Sequence, residues 1–262
     1  WSVNSYTVSF NVNGGDTLQP ITMKYNESFY LPTPTKTGHT FLGWATSLDG
    51  EVVYSENAIY TLGATNVTLY AKWNINQYSI TFEENGGSSV KDITLNYNEL
   101  ITKPANPTKE GHSFAGWYLD SNYQTLYSIP NTMPATNVTV YAKWNINSYT
   151  ISFDSNDGVS INPVTSIYNS EITLPSTTKT GYHLLGWALE EDDINNILLA
   201  GEKYSIPSSN VTLHAIWEAN TNTKYVVNHY GANLTGGGYS PILNENLEGT
   251  TDAMTSVEYV ST

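Results

Sequence analysis

Cysteine and arginine are both missing from this 262-residue chain. Without cysteine there is no disulfide, no thiolate zinc site and no cysteine nucleophile. The ten basic residues are therefore all lysines, and they stand against 24 acidic residues for a formal net charge of -14. Because nucleic-acid binding depends on clustered basic residues at the phosphates, this balance speaks against a nucleic-acid partner.

Long hydrophobic runs are missing as well. No apolar stretch approaches the ~20 residues that a membrane-spanning helix needs, so we expect no direct insertion into a membrane. Charged residues make up only 13% of the chain, whereas tyrosine alone occupies 20 positions. Runs rich in tyrosine, threonine and valine are typical of strands rather than helices.

Three short motifs recur along the chain at intervals of roughly 70 residues, which indicates internal repeats. A glycine–tryptophan motif occurs as GHTFLGW, GHSFAGW and GYHLLGW; a YTVSF-like motif precedes it and an NVTLYAKW-like motif follows it. The predicted organisation is the end of a preceding repeat (1–5), three repeats (6–76, 77–147 and 148–218), and a linker with a partial β module (219–262).

Each repeat is predicted to consist of short strands joined by turns. In YTVSF, Tyr6, Val8 and Phe10 alternate with polar residues, which is the period of a half-buried strand. Glycine pairs such as Gly14 and Gly15 follow, at a place where a hairpin requires positive φ. Only the variable stretch after the glycine–tryptophan motif has room for a short helix, so the predicted class is β-dominated α+β.

The recurring tryptophans allow two interpretations. Units of about 70 residues without disulfides or zinc are small for a single core, and buried aromatic rings can supply the missing apolar area. This favours Trp44, Trp117 and Trp187 as core residues. In the alternative, the same three residues are candidate ligand-binding platforms, exposed so that they stack on sugar rings.

The connections between repeats are short. Only Asn74–Gln77 separate the first repeat's last tryptophan from the next YSITF motif, and the same gap follows the second repeat. Such connections leave neighbours little room to swing, which predicts a semi-rigid, elongated array. After Trp217 the gap widens to EANTNTK, which predicts a more flexible polar linker.

An acidic run lies in the variable stretch of the third repeat. Its members, Glu190, Glu191, Asp192 and Asp193, are candidate metal ligands because Ca²⁺ takes carboxylate oxygens. Consecutive carboxylates without a spaced calcium-loop pattern favour a solvated loop, so the prediction is no metal. No nucleophile elbow, phosphate-binding loop or zinc-protease motif occurs, and we expect neither enzyme activity nor a cofactor.

The order of these motifs, with PTKTGHTFLGW followed by NVTLYAKW, resembles the Listeria–Bacteroides repeat of the internalin B-repeat type over residues 6–217. The resemblance implies a β-grasp-like fold and tandem stalk or adhesive modules, located outside the cell at a bacterial surface or cell wall. The third repeat departs from the pattern, since His214 and Ile216 replace tyrosine and lysine. The tail, YVVNHYGANLTGGGY, resembles the start of a mucin-binding-protein-type module.

These observations predict a non-catalytic tandem-repeat segment of a bacterial cell-surface protein, acting as a stalk or spacer with weak multivalent adhesion. The alternative function is a carbohydrate-binding repeat array that uses exposed tyrosine and tryptophan. The expected partners are proteins or glycans on a host or neighbouring cell. Self-association through the partial C-terminal module is a further expectation.

Overall fold

The computed structural model describes residues 2–232 and 235–254. The chain divides into two compact units. One runs to Lys109 and includes Phe114–Trp144, and so holds most of the first two repeats. The other combines Glu110–Ser113 with the chain from Asn145 onward, and so holds the third repeat and the tail.

Short strands build every repeat. The first repeat contains β1 (Ser5–Asn11), β2 (Ile21–Lys24), β3 (Ser28–Tyr30), β4 (His39–Ala45), β5 (Ile59–Thr61) and β6 (Val67–Ile75). The second contains β7 (Gln77–Glu83), β8 (Ile93–Asn96), β9 (His112–Tyr118), β10 (Leu126–Tyr127) and β11 (Val138–Ile146). The third contains β12 (Ser148–Asp154), β13 (Val164–Ile167), β14 (Glu171–Thr173), β15 (Tyr182–Ala188), β16 (Lys203–Ser205) and β17 (Val211–Ala219). The tail contains β18 (Thr223–Ala232) and β19 (Tyr239–Gly249).

One mixed sheet recurs in the three repeats. Its strand order is β2-β1-β6-β4 in the first and β13-β12-β17-β15 in the third, and the second repeat has the same order with β10 added at the edge beside β9. The first strand of each repeat pairs in parallel with the last and antiparallel with the second. Parallel neighbours need a long crossover connection, which is usually a helix. Here β2 to β5 and their turns make that connection.

The α+β prediction is therefore wrong, because none of the described residues lies in a helix and the fold is all-β. In the first repeat, the stretch in which we expected a helix turns back along β4: the Trp44 N–H donates to the Tyr54 carbonyl (2.8 Å), and the Tyr54 N–H donates to the Trp44 carbonyl (3.0 Å). The expected β-grasp-like arrangement is not supported, because the connection between the parallel first and last strands of each repeat consists of strands and turns, not of a helix. Nothing in the described part of the chain is a helix long and apolar enough to cross a membrane.

A tryptophan lies at the centre of each repeat's core. The ring centroid of Trp44 is 5.0 Å from that of Phe10 and 5.4 Å from that of Phe41. Its indole N–H donates to the Pro32 carbonyl at 3.0 Å. A buried Trp N–H usually finds such a partner, and here the proline-bearing loop before β4 supplies it.

The glycine before this tryptophan allows the chain to return across β4. Gly43 has φ +137° and lies at a shift in the register between β4 and β6. A Cβ at this position would be 2.4 Å from the Tyr54 carbonyl oxygen. A glycine at a bulge with a close backbone neighbour is a known reason for glycine inside a strand.

Candidate functional site

The three tryptophans considered as ligand platforms lie inside the repeats. Trp44 and Trp187 have 0% of their surface exposed, and Trp117 has 5%. A ring without an exposed face cannot stack on a sugar. The platform interpretation therefore does not hold at these positions, where the rings pack against the core.

Part of the acidic run stabilises its own loop. The Asp193 carboxylate accepts hydrogen bonds from the Asn196 side-chain amide (2.8 Å) and from the Asn195 N–H (3.0 Å). These bonds hold the pKa of Asp193 below its usual value, with the Asn196 amide contributing most. Asp192 adopts φ +60° in the same turn. These two residues thus form a tight surface turn, as acidic residues commonly do.

Glu191 is the member of the run that the fold brings to other metal-ligating side chains. Its carboxylate, the Asp154 carboxylate and the His214 imidazole each offer a ligand atom, and the three atoms lie within 4.8 Å of one another. Asp154 and His214 are directly opposite each other on the parallel strands β12 and β17. Sequence reasoning noted His214 as a departure but did not connect it to the acidic run.

A recurring contact joins the first glycine of the glycine–tryptophan motif to a tyrosine far along the chain. In the first unit, Gly38 has φ +71°, and a Cβ there would lie 2.0 Å from Cγ of Tyr97. The Gly38 carbonyl accepts a hydrogen bond from the Asn76 N–H (2.9 Å), and the Asn76 carbonyl accepts one from the Tyr97 N–H (2.8 Å). The His39 ring packs edge-on against Tyr97, with centroids 6.0 Å apart. We call this glycine–asparagine–tyrosine arrangement the junction contact.

The second unit contains the same junction contact. Gly111 has φ +66°, and a Cβ there would lie 2.1 Å from the Tyr168 ring. Asn147 again links the two, with its N–H bonded to the Gly111 carbonyl (2.9 Å) and its carbonyl bonded to the Tyr168 N–H (2.8 Å). His112 packs edge-on against Tyr168 at 6.0 Å. The repetition of both distances and ring geometry shows that the contact belongs to the repeat pattern.

The tail makes a variant of the junction contact. The Asn220 N–H donates to the Gly181 carbonyl (2.8 Å), and the Asn220 carbonyl accepts from the Thr251 N–H (2.9 Å). Thr251 thus packs on Gly181, where the other two contacts have a tyrosine. In addition, the Tyr182 hydroxyl donates a hydrogen bond to the Asp252 carboxylate. The expected flexible linker is instead a short turn held by this contact, since β17 ends at Ala219 and β18 begins four residues later.

The sequence did carry a signal for this contact. Tyr25, Tyr97 and Tyr168 each follow the second strand of a repeat and precede an asparagine. WNIN also recurs, before the YSITF-like motif. A tyrosine repeated outside the core motifs indicates a surface that each repeat uses in the same way. Which residue it contacts could not be read without the fold.

Residues 6–72, 78–143 and 149–216 each match the model of the Listeria-Bacteroides repeat domain family. The chain belongs to this family. The matches end before the tail, so they give no support to the expected mucin-binding-protein-type module. The asparagines of the three junction contacts lie outside the matched ranges: Asn76 and Asn147 between consecutive repeats, and Asn220 after the third.

Relatives from two bacteria resemble this chain. Two proteins of Evansella cellulosilytica, named "Putative membrane protein" and "Putative Gly-rich membrane protein", are 37% and 39% identical over 84% of this chain, which corresponds to 34% and 26% of their own lengths. Internalin H of Listeria monocytogenes is 37% identical over 55% of this chain and 26% of its own length. The chain thus spans about a third or less of the length of these relatives.

Proposed function

We propose that this repeat segment is a non-catalytic spacer of a bacterial surface protein, located outside the cell. The proposed boundaries are 6–76, 77–147 and 148–218 for the repeats. The family match and the names of the relatives, which include membrane proteins and an internalin, support a surface protein. The observation that carries the spacer function is the junction contact, which recurs with the same hydrogen bonds and the same glycine conformation.

The junction contact suits a spacer because it restricts movement between successive segments of chain. A side chain on Gly38 would collide with Tyr97, so the aromatic ring lies directly on the backbone. Two backbone hydrogen bonds through Asn76 fix the connection from both sides. Tandem repeats interact mainly with their neighbours, so a stiff neighbour contact makes a stiff array.

Adhesion is the second part of the proposal. Tandem copies multiply weak contacts with a protein or glycan on a host or neighbouring cell. With Trp44, Trp117 and Trp187 buried, an adhesive surface uses exposed tyrosines such as Tyr30, which is 70% exposed. Among the described strands, β18 and β19 pair only with each other. This two-stranded ribbon, the start of the mucin-binding-protein-type module in this proposal, is the surface proposed for self-association.

Small-angle X-ray scattering of the full chain tests the spacer function. A compact globule of this length has a radius of gyration of about 18 Å, and a stiff array of repeats gives a clearly larger value. Replacing both Tyr97 and Tyr168 with alanine is expected to broaden the distribution of interatomic distances. Tyr25→Ala, which changes the same repeat position where the ring is half exposed, is the matched control.

Two scattering results would contradict the proposal. A radius of gyration near that of a globule would exclude a spacer. An unchanged distance distribution in the double variant would show that the junction contact does not stiffen the array. Adhesion is tested separately, by binding of the full chain to a glycan array and to host-cell surface extracts.

A further inference from the structure

Two carboxylates and an imidazole converge on one point of the third repeat. His214 Nδ1 lies 3.2 Å from Asp154 Oδ2 and 3.9 Å from Glu191 Oε1. The other Asp154 oxygen accepts a hydrogen bond from the Asn156 N–H at 3.0 Å, which fixes the orientation of the carboxylate. Ligands at 2.0–2.2 Å around a tetrahedral metal ion are about 3.4 Å apart. The separations of 3.2 and 3.9 Å are close to this spacing, and the third separation is at most 4.8 Å.

The other repeats provide an internal comparison. The positions of Asp154 and His214 are occupied by Asn11 and Tyr70 in the first repeat, and their pairing across the parallel strands is the same. In the second repeat, Glu83 is opposite Tyr141. The imidazole is therefore a feature of the third repeat alone, and it occurs together with the longer acidic loop that supplies Glu191.

The third repeat has also lost the lysine that contacts this loop elsewhere. In the first repeat, the Lys72 ammonium donates to the Leu48 carbonyl at 2.7 Å. In the second, the Lys143 ammonium lies 5.8 Å from the centre of the Tyr123 ring. Ile216 takes the lysine position in the third repeat. A cation between Glu191 and the strands would restore the lost positive charge and hold the loop in place.

A lysine that lines the same cavity as Glu191 already has partners. Lys179 lies with Asp157, Asp192 and Glu191 around an open cavity of about 390 Å³. Its ammonium donates to the Asn156 carbonyl at 3.0 Å and is 3.7 Å from the Asp157 carboxylate. Corresponding lysines bond to the same turn carbonyl in the first two repeats, where Lys36 donates to Asn13 and Lys109 to Asn85. The Lys179 ammonium is therefore bonded to residues of the hairpin turn, as its counterparts are in the first two repeats.

From these observations we propose that Asp154, Glu191 and His214 bind one divalent transition-metal ion of the zinc class. Imidazole together with carboxylates suits zinc and its neighbours in the first row, whereas calcium and magnesium prefer oxygen ligands alone. The ion joins the acidic loop to β12 and β17 and leaves a coordination position for water. Its role is to fix the loop, since the three ligands come from three separate parts of the repeat.

Isothermal titration of the full chain with zinc ion alone tests the site. We expect one zinc per chain and a rise in amide-exchange protection of the loop at residues 189–197. His214→Tyr introduces the residue of the other two repeats, so the fold is expected to survive. It should weaken zinc binding by about tenfold or more, at least the loss that follows removal of an outer-shell partner. Glu191→Gln, on the exposed loop, should also weaken it.

His183→Thr is the matched control. His183 forms another histidine–carboxylate pair, with its Nε2 at 2.9 Å from the Glu218 carboxylate, and threonine is the residue of the first repeat at that position. This variant should bind zinc like the unchanged chain. Zinc binding that survives both His214→Tyr and Glu191→Gln would overturn the proposal, and so would the absence of saturable binding. Calcium binding as tight as zinc binding would also overturn it.

Discussion

Single residues of the glycine–tryptophan motif have three different tasks. In the first repeat, Gly38 accommodates a tyrosine from a later segment, Gly43 allows the chain to cross β4, and Trp44 fills the core. The core role could be predicted from the size of the repeat, because small domains without cross-links depend on large buried rings. The role of Gly38 could not, because its partner Tyr97 lies in the next repeat.

Gly38→Ala is expected to lower the stability of the first repeat. Its positive φ costs a non-glycine residue about 1–3 kcal/mol, and the added Cβ must also displace the Tyr97 ring. Denaturant unfolding followed by amide exchange measures the loss. Gly63→Ala is the control, since a Cβ there meets no atom within 4 Å. Equal effects of the two substitutions on the free energy of unfolding would show that the packing of Tyr97 on Gly38 does not stabilise the first repeat.

Trp44→Ala is expected to cost about 3–5 kcal/mol, the usual range for a buried tryptophan. The indole is fully buried and bonded to the Pro32 carbonyl, so its removal leaves a cavity and an unpaired acceptor. Amide exchange of the first repeat reports the loss of stability. Leu48→Ala, at a side chain that is half exposed, should change little. An equally small effect of Trp44→Ala would mean that the ring is not part of the core.

At the scale of strands, an asparagine before the last strand completes the sheet of each repeat. The Asn66 side-chain oxygen accepts a hydrogen bond from the Thr7 N–H at 2.8 Å. Asn137 and Asn210 make the equivalent bond in the second and third repeats. In each repeat, the asparagine side-chain oxygen thus accepts a hydrogen bond from a backbone N–H of the first strand. This N–H lies just outside the residues that pair in the parallel ladder, so the side chain provides the partner that a strand would otherwise give.

Asn66→Ala should therefore destabilise the first repeat by about 0.5–1.5 kcal/mol, the net value of one hydrogen bond. The Thr7 amide should lose protection from exchange more than its neighbours in β1. Asn74→Ala, at an exposed position of β6, is the control and should leave Thr7 protected. Unchanged protection of Thr7 in Asn66→Ala would refute the role of the side chain.

An aspartate organises the variable loop of the second repeat and makes it sensitive to acid. The Asp120 carboxylate accepts hydrogen bonds from the backbone N–H groups of Gln124, Thr125 and Asn122. These bonds, that of Gln124 foremost, hold the pKa of Asp120 below its usual value of 3.8. With a lowered folded pKa, the stabilisation is complete above the pKa of the unfolded chain and is lost as the pH falls through the folded value.

We therefore expect the loop to loosen below about pH 4, the range set by an ordinary aspartate pKa. Amide chemical shifts of Gln124 and Thr125 followed by NMR should titrate together in this range. Asp120→Asn should remove this titration from the two amides. If both amides titrate identically in the variant, another group controls the loop.

The pattern of strands was easier to predict than what lies between them. The alternation of Tyr6, Val8 and Phe10 identified β1, since a period of two is a local property. The helix expected after Trp44 was wrong because a variable stretch with little periodicity leaves the choice to tertiary hydrogen bonds. The cluster around His214 was missed for a related reason. Asp154 becomes its neighbour only through the parallel pairing of β12 with β17.

At the scale of the whole molecule, the repeats are expected to be coupled through their junction contacts. The stability of a tandem array is approximately a sum of the stabilities of its repeats and of the contacts between neighbours. Within the first unit, Gly38, Asn76 and Tyr97 connect the first repeat to the second. Loss of the first repeat's structure therefore removes a contact that stabilises the second.

A double-mutant cycle measures this coupling. Leu69→Ala, at a fully buried position of the first core, should cost about 2–5 kcal/mol. It should also lower amide-exchange protection in β7 and β8 of the second repeat. In a Tyr97→Ala background, the effect of Leu69→Ala should be confined to the first repeat, because the connecting contact is already lost. Interaction energies between residues in one network are commonly 0.5–3 kcal/mol, whereas distant independent sites are additive.

Tyr25→Ala is the control background for this cycle, since it changes the same repeat position without touching the contact to Gly38. In that background, Leu69→Ala should still lower amide-exchange protection in the second repeat. Strict additivity of Leu69→Ala and Tyr97→Ala would mean that each repeat unfolds independently. The junction contact would then be too weak to couple the stabilities of neighbouring repeats or to restrict movement between them, and the repeats would behave as independent domains.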